Sequence, residues 1–130
     1  MKASTGMQVF SFEVSVRDTE WSRIVNARTR GRAKLIMHRS VTESWPDVPF
    51  TAMRARKIGT PHTSADFVRN ANYRGMPGIK CGQRVNVGEA RGVIVGHNAS
   101  ANFDVLFDDD SPKYAGLTLN CHPDSLILIP

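Results

Sequence analysis

Four cationic side chains alternate with small or polar residues in one seven-residue stretch, as Arg28, Arg30, Arg32 and Lys34. An arginine guanidinium binds phosphate or carboxylate oxygens through two parallel hydrogen bonds, and a lysine adds a point charge. If this stretch opens a helix, the positive end of the helix dipole attracts the same anions. The cluster therefore predicts a phosphate-binding site. The alternative is a solvated helix start whose charges pair with Glu13, Glu20 or Glu43.

Two further arginines have the spacing of residues on one face of a strand, Arg54 and Arg56. They either extend the cationic patch or mark a basic edge strand that prevents aggregation of the sheet. Trp21 and Tyr73, the latter beside Arg74, offer stacking surfaces for bases, with packing in a core or interface as the alternative. The predicted nucleic-acid-binding residues are Arg28, Arg30, Arg32, Lys34, Arg54 and Arg56.

Other residues with metal-binding or catalytic chemistry lack the spacing that such chemistry needs. The run Asp108–Asp110 has carboxylate oxygens for a divalent cation but not the spacing of a calcium loop, so it predicts an exposed loop. The residue types that bind zinc are present without a close Cys-x-x-Cys pair, as Cys81, His97, Cys121 and His122. A Cys/His catalytic pair lacks a third, orienting residue. We expect no catalytic residues, no metal and no cofactor.

The distribution of charge divides the 130 residues into two parts. Residues 1–78 contain thirteen Lys and Arg against six Asp and Glu, a net charge of +7, whereas the remainder carries −2. We predict a basic α+β unit over residues 1–78 and a second unit over residues 79–130. Such asymmetry favours a polyanionic partner, either a DNA or RNA backbone or an acidic protein surface.

The apolar residues are too dispersed for a membrane span. No window approaches the roughly 18 apolar residues that a spanning helix needs, and Met1–Gly6 is not followed by the apolar segment of a signal peptide. We therefore expect a cytoplasmic protein without membrane association. In a reducing compartment, Cys81 and Cys121 are expected to be free buried thiols.

Apolar periodicity predicts a strand–helix–strand arrangement in the first part. Met7–Val16 alternates as a strand with Phe10 or Phe12 inward, and Phe50–Ile58 reads as another strand. Between them, Thr29–Ser44 is predicted as a helix with Thr29 as its N-cap. The buried face of this helix recurs at the 3.6-residue spacing, as Ala33, Ile36, Met37, Ser40 and Val41.

Two local assignments in the first part depend on short segments. Ile24 and Val25 either form a further strand or finish a turn; if Ile24–Ala27 is extended, it could pair in parallel with the strand that follows the helix. Ser64–Arg74 is predicted as a short helix that presents Phe67 and Ala71. Thr63 is the expected cap of this helix, with Asp66 three residues on.

Five short apolar segments with turn residues between them follow Lys80: Arg84–Val87, Val93–Val95, Asn102–Phe107, Leu117–Leu119 and Leu126–Ile129. The period of two places Phe103, Val105 and Phe107 on one face. The last segment has the unbroken apolar character of a strand that is buried on both sides.

This succession of strands resembles the SH3-like small barrel. Gly82–Gly88 followed by Gly92–Val95 is similar to the KOW motif of ribosomal and transcription-factor barrels, and the stretches 92–107 and 120–123 resemble small uncharacterised proteins of tailed bacteriophages. The resemblance implies a phage origin and therefore a bacterial cytoplasm. The expected fold is α+β, with the small N-terminal α/β unit packed on a five-stranded SH3-like β-barrel.

Two functions from different classes fit these observations. The first is a non-enzymatic nucleic-acid-binding protein that contacts phosphates through the arginine-rich helix start. The second is a protein-binding module, either a virion component or an inhibitor of a host defence or transcription complex. A continuous cationic face would favour the first function. An exposed aromatic groove, for which Phe103, Phe107 and Tyr114 are available, would favour the second.

Overall fold

The computed structural model describes residues 8–130 and divides them into two compact units. The first spans Val9–His62, and the second is built on Thr63–Pro130. The division thus falls sixteen residues before the predicted boundary, because residues of the short helix after Thr63 belong to the core of the second unit. Met1–Met7 lie outside the described residues. They include the first residue of the predicted first strand and the segment on which the expectation of no signal peptide depends.

The first unit is a three-stranded antiparallel sheet with one helix. Its elements are β1 (Phe10–Val16), β2 (Ser22–Ala27), α1 (Arg30–Thr42) and β3 (Met53–Gly59), with a single 3-10 turn over Phe50–Ala52 before β3. The order in the sheet is β2-β1-β3. The suggested parallel pairing of Ile24–Ala27 with the strand after the helix is therefore wrong, because β1 lies between β2 and β3 and bonds to both.

The core of the first unit follows the predicted periodicities. Phe12 and Val14 of β1 are buried, and Ala33 and Met37 of α1 belong to the same apolar cluster. Phe12 rather than Phe10 is the fully buried aromatic residue of β1. The helix prediction is confirmed in its position and in most of its buried face.

The second unit has one helix and one five-stranded antiparallel sheet. Its elements are α2 (Ala65–Tyr73), β4 (Arg84–Val87), β5 (Ala90–His97), β6 (Phe103–Phe107), β7 (Thr118–Cys121) and β8 (Ile127–Leu128). The order is β7-β6-β5-β4-β8. Within the described residues the edge strands β7 and β8 do not pair with each other, so this sheet is not closed and the SH3-like barrel stays a prediction.

The core of the second unit forms between α2 and the sheet. Phe67 and Ala71 are buried as predicted, and Phe103, Val105 and Phe107 are fully buried in the same cluster. The ring centroids of Phe67 and Phe103 lie 5.3 Å apart. The period-two alternation of this stretch therefore identified the buried face of β6 correctly.

The aspartate run lies in a loop, as predicted, but its first residue is not solvated. Asp108 is completely buried, and its carboxylate accepts hydrogen bonds from Arg84 Nη1 at 3.0 Å and Arg84 Nη2 at 2.8 Å. Only Asp109 and Asp110 are exposed. A buried carboxylate needs a charged or hydrogen-bonding partner, and the chain provides one from β4, far away in sequence.

Two further expectations for the second unit are wrong. The last apolar run is not buried on both sides, because Ile127 and Leu128 are 62% and 44% exposed and form a strand that pairs, among the described residues, with β4 alone. The cap of α2 is Ser64, whose hydroxyl accepts from the Phe67 amide at 3.0 Å. Thr63 instead accepts from the Cys81 amide at 3.1 Å.

Candidate nucleic-acid interface

The start of α1 is fixed by Thr29, as the sequence predicts. The Thr29 hydroxyl accepts from the Arg32 amide at 3.2 Å, and its carbonyl accepts from the Ala33 amide at 3.1 Å. A helix leaves its first four amides without partners in the helix, and this cap satisfies one of them. The cap fixes the direction in which the first helical turn presents its side chains.

The first turn of α1 has positive charges, whereas negative charges near a helix start stabilise the helix. No acidic residue lies there, whereas Arg30, Arg32 and Lys34 lie within the first five helical residues. A cation near the positive end of a helix dipole is unfavourable by about 0.3–1 kcal/mol when it is exposed. Arg30 is exposed, and Arg32 and Lys34 are half-buried. The same field that repels these cations attracts an anion placed between them and the helix end.

Gly31 leaves the helix start open to a bound group. A Cβ atom built on Gly31 would meet no atom of residues 8–130 within 4 Å. An approaching phosphate would therefore meet no side chain of residue 31 on its way to the first-turn amides that Thr29 does not already bind. Arg28 lies just before the cap and is half-buried. Four of the six predicted residues, Arg28 to Lys34, therefore lie along one chain segment at the start of α1.

Arg54 and Arg56 lie on a different surface of the same unit. In β3, Ala55 and Met53 are opposite Val14 and Val16 and face the core under α1, so Arg54 and Arg56 lie on the helix-free face of the sheet. Arg56 Nη2 lies 2.6 Å from Glu13 Oε1, and both side chains are largely exposed. The two arginines therefore do not extend the cluster at the start of α1.

The predicted stacking residues are exposed, but in two different settings. Trp21 packs edge-to-face on Trp45, with ring centroids 4.4 Å apart and planes at 89°. Tyr73 is 79% exposed at the end of α2. Arg74 beside it donates to the carbonyls of Ala101 and Ser100, so its guanidinium is engaged within the second unit. The exposure of Trp45 was not anticipated, because the sequence indicates only a helix stop there.

The ring residues proposed for a peptide groove in the second unit do not form one. Phe103 and Phe107 are fully buried, and of the three candidates only Tyr114 is exposed, at 43%. Its ring lies 5.2 Å from that of Phe107, measured between centroids. Core packing therefore accounts for the two phenylalanines.

Polar side chains near the start of β6 form a network that sequence reasoning missed. Asn70 Nδ2 lies 2.6 Å from His97 Nδ1, and Asn98 donates to Asn120, which donates in turn to Asp104 at 2.9 Å. These residues come from α2, β5, β6 and β7 and the turn after β5. No short-range sequence pattern links them, so only the folded chain reveals the network.

The Cys and His residues that the sequence offers for zinc binding do not form a metal site among residues 8–130. Among residues 8–130, no group of three or more His, Cys, Asp or Glu side chains is placed to hold a metal ion. Cys81 and Cys121 are both free thiols. Burial, and secondarily the charge of Asp104, raise the pKa of the Cys121 thiol, which makes it a poorer nucleophile near neutral pH.

Comparisons with protein-family models, curated proteins and solved structures found no match to this chain. In the described part of the chain, neither helix has the length and apolar character of a membrane span.

Proposed function

We propose that the protein binds DNA or RNA non-enzymatically through phosphate contacts at the start of α1. Arg28, Arg30, Arg32 and Lys34 provide the charges, and the first-turn amides beside Gly31 provide additional donors. Arg54 and Arg56 are proposed as a secondary phosphate-contacting surface on the helix-free face of the sheet. The proposal includes a phage origin, as the sequence resemblance implies.

The observation that carries the proposal is the charge reversal at the start of α1. Stability favours acidic residues in a first helical turn, and here the first turn has none while the segment Arg28–Lys34 has four cations. The surrounding unit supports this interpretation, because residues 9–62 contain ten Lys and Arg against five Asp and Glu. A surface with this excess of cations attracts polyanions over a distance comparable to the Debye length.

The test is binding of fluorescent single- and double-stranded DNA and RNA, followed by anisotropy at about 50 and 200 mM salt. Each phosphate contact contributes a slope of about −0.9 to the dependence of log affinity on log salt. Replacing Arg28, Arg30 and Arg32 with alanine should therefore remove up to about 2.7 units of slope on duplex DNA and lower the affinity strongly at the lower salt.

A matched control removes three exposed cations of the second unit, as Arg69→Ala, Arg91→Ala and Lys113→Ala. This variant has the same net charge as the first, so a local site predicts that it keeps most of the affinity and slope. Equal losses in both variants would mean that binding depends only on overall charge. Unchanged salt-sensitive binding after the first substitution would refute the assignment of the site.

We also propose that the five-stranded sheet of the second unit is an SH3-like barrel. Four strands follow one another as an antiparallel meander, and β8 returns to pair with β4 after a one-turn 3-10 helix over Pro123–Ser125. This order supports the proposal. Nuclear Overhauser contacts between β7 and β8 would establish closure, whereas independent solvent exchange of both edges would contradict it.

A further inference from the structure

The strongest unassigned feature is the aromatic pair Trp21–Trp45 at the C-terminal end of α1. Both indoles are about half exposed, at 48% and 49%, although they are in contact with each other. Their planes are perpendicular, so the pair forms two walls of an open corner. Large aromatic side chains that remain exposed beside each other are typical of binding surfaces.

Hydrogen bonds fix the main chain of both tryptophans. The Trp21 amide donates to Thr19 Oγ1 at 3.0 Å, and the Trp21 carbonyl accepts from the Val16 amide at 3.1 Å. The Trp45 amide donates to the Val41 carbonyl at 2.9 Å, at the end of α1. The fixed main chain and the contact between the two rings together restrict the side chains, which reduces the entropy lost on binding.

The chain segments on either side of the two tryptophans are predominantly acidic. Within three residues of either tryptophan there is one cation, Arg23, whose Nη1 donates to Ser40 Oγ at 3.1 Å. The same windows hold four of the five acidic residues of the unit, all of them exposed: Asp18, Glu20, Glu43 and Asp47. The C-terminal end of α1, next to Trp45, adds the negative end of the helix dipole, and its last turn holds one further cation, Arg39.

We propose that Trp21 and Trp45 form a docking site for an arginine or lysine side chain that a protein partner presents on a basic peptide segment. A cation over an indole face is stabilised by the ring quadrupole, and the nearby carboxylates and helix end strengthen the attraction. The same electrostatics disfavour a nucleic-acid phosphate here. This site is separate from the proposed phosphate site, because the two lie at opposite ends of α1.

The test uses the full chain and two capped heptapeptides, Gly-Arg-Gly-Arg-Gly-Arg-Gly and the same sequence with glutamate in place of arginine. Trp21 and Trp45 are the only tryptophans, so tryptophan emission reports directly on the site. We expect a saturable change with the arginine peptide at about 20 mM salt, where charge interactions are weakly screened, and none with the glutamate peptide. Because the protein has a net charge of +5, general attraction does not favour the arginine peptide.

Two variants test the aromatic contribution. Trp45→Leu keeps an apolar side chain without the ring and should weaken the binding of the arginine peptide about two- to fivefold, the range expected for an exposed cation–π contact. Tyr73→Leu removes an exposed aromatic ring from the second unit and should leave the affinity unchanged. Thermal melting of each variant checks that it is folded.

Two charge variants keep the test valid if Trp45→Leu does not fold. Glu20→Lys with Glu43→Lys should abolish binding of the arginine peptide, whereas Glu89→Lys with Asp110→Lys makes the same change in net charge in the second unit and should preserve it. Absence of a saturable signal, or equal loss in both charge variants, would overturn the proposal. So would quenching by an oligonucleotide that disappears in Trp45→Leu, since the pair would then be a base-stacking surface.

Discussion

The two helices begin with the same kind of cap and opposite kinds of charge. Ser64 caps α2, and Asp66 follows in its first turn, where it pairs with Arg69 at 2.8 Å. Thr29 caps α1, and its first turn has Arg30 and Arg32 and no acidic residue. A negative charge near a helix start stabilises the helix, and a positive charge destabilises it. The start of α2 therefore has the charges that stability favours, and the start of α1 does not.

The same contrast extends to the two units. Residues 9–62 display an excess of five positive charges, most of them on exposed or half-buried side chains. Residues 63–130 have six Lys and Arg against seven Asp and Glu. Two of these residues, Arg84 and the buried Asp108, form an ion pair inside the unit. Charge in the second unit thus contributes to the fold. The first unit has an exposed pair as well, Arg56 with Glu13, but it keeps an excess of cations, on which the proposed phosphate site depends.

The largest effect is expected from breaking the internal pair. Asp108→Ala removes both hydrogen bonds to Arg84 and leaves a partly buried guanidinium without that partner. We expect a loss of about 3 kcal/mol in the free energy of unfolding, the lower end for a broken buried pair because Arg84 keeps some exposure. Urea unfolding followed by far-UV circular dichroism measures it. Asp110→Ala, an exposed neighbour, should stay within about 0.5 kcal/mol, and similar losses in both variants would contradict a structural role specific to Asp108.

Charge exchange at the helix starts should give smaller effects of opposite sign. Arg30→Glu places an acidic residue at the positive end of α1 and should stabilise the protein by about 0.5 kcal/mol at low salt, whereas Asp66→Lys should destabilise it by a similar amount. The same Arg30→Glu variant should bind nucleic acid more weakly. Thermal melting and anisotropy measure the two properties, and a loss of stability in Arg30→Glu would show that the arginine has a structural role.

The smallest effect concerns the half-buried thiol of the second unit. Burial first, and Asp104 second, raise the pKa of Cys121, so the folded state keeps the thiol proton to higher pH than the unfolded chain. The associated stability is fully present below the ordinary thiol pKa and is lost as the pH rises through the raised value. In a Cys81→Ala background, the rate of iodoacetamide alkylation should rise with pH at a midpoint higher than that of a free cysteine. Asp104→Asn should move it to lower pH; a profile unaffected by this change would exclude the electrostatic contribution.

Local sequence patterns were sufficient for the elements that short-range interactions specify. Thr29 begins a helix with Ala33 and Met37 on its buried face, because capping and a 3.6-residue period involve only near neighbours. The alternation of Phe103, Val105 and Phe107 likewise identified the buried face of β6. The cationic segment at the start of α1 could be predicted for the same reason, since the helix and its charges lie within one short stretch of chain.

What the tertiary structure decided depends on contacts between residues far apart in sequence. Three such contacts join segments that no local pattern connects. They are the position of β1 between β2 and β3, the burial of Asp108 against Arg84, and the contact of Trp21 with Trp45. An aspartate side chain stays in solvent unless the fold provides a cation or hydrogen-bond donors for it. The face on which two arginines of a strand lie is set by the register of the sheet. The sequence by itself therefore determined the helices, most strands and the basic character of the first unit. The fold determined which charges and rings share a surface, because only long-range pairing places them there.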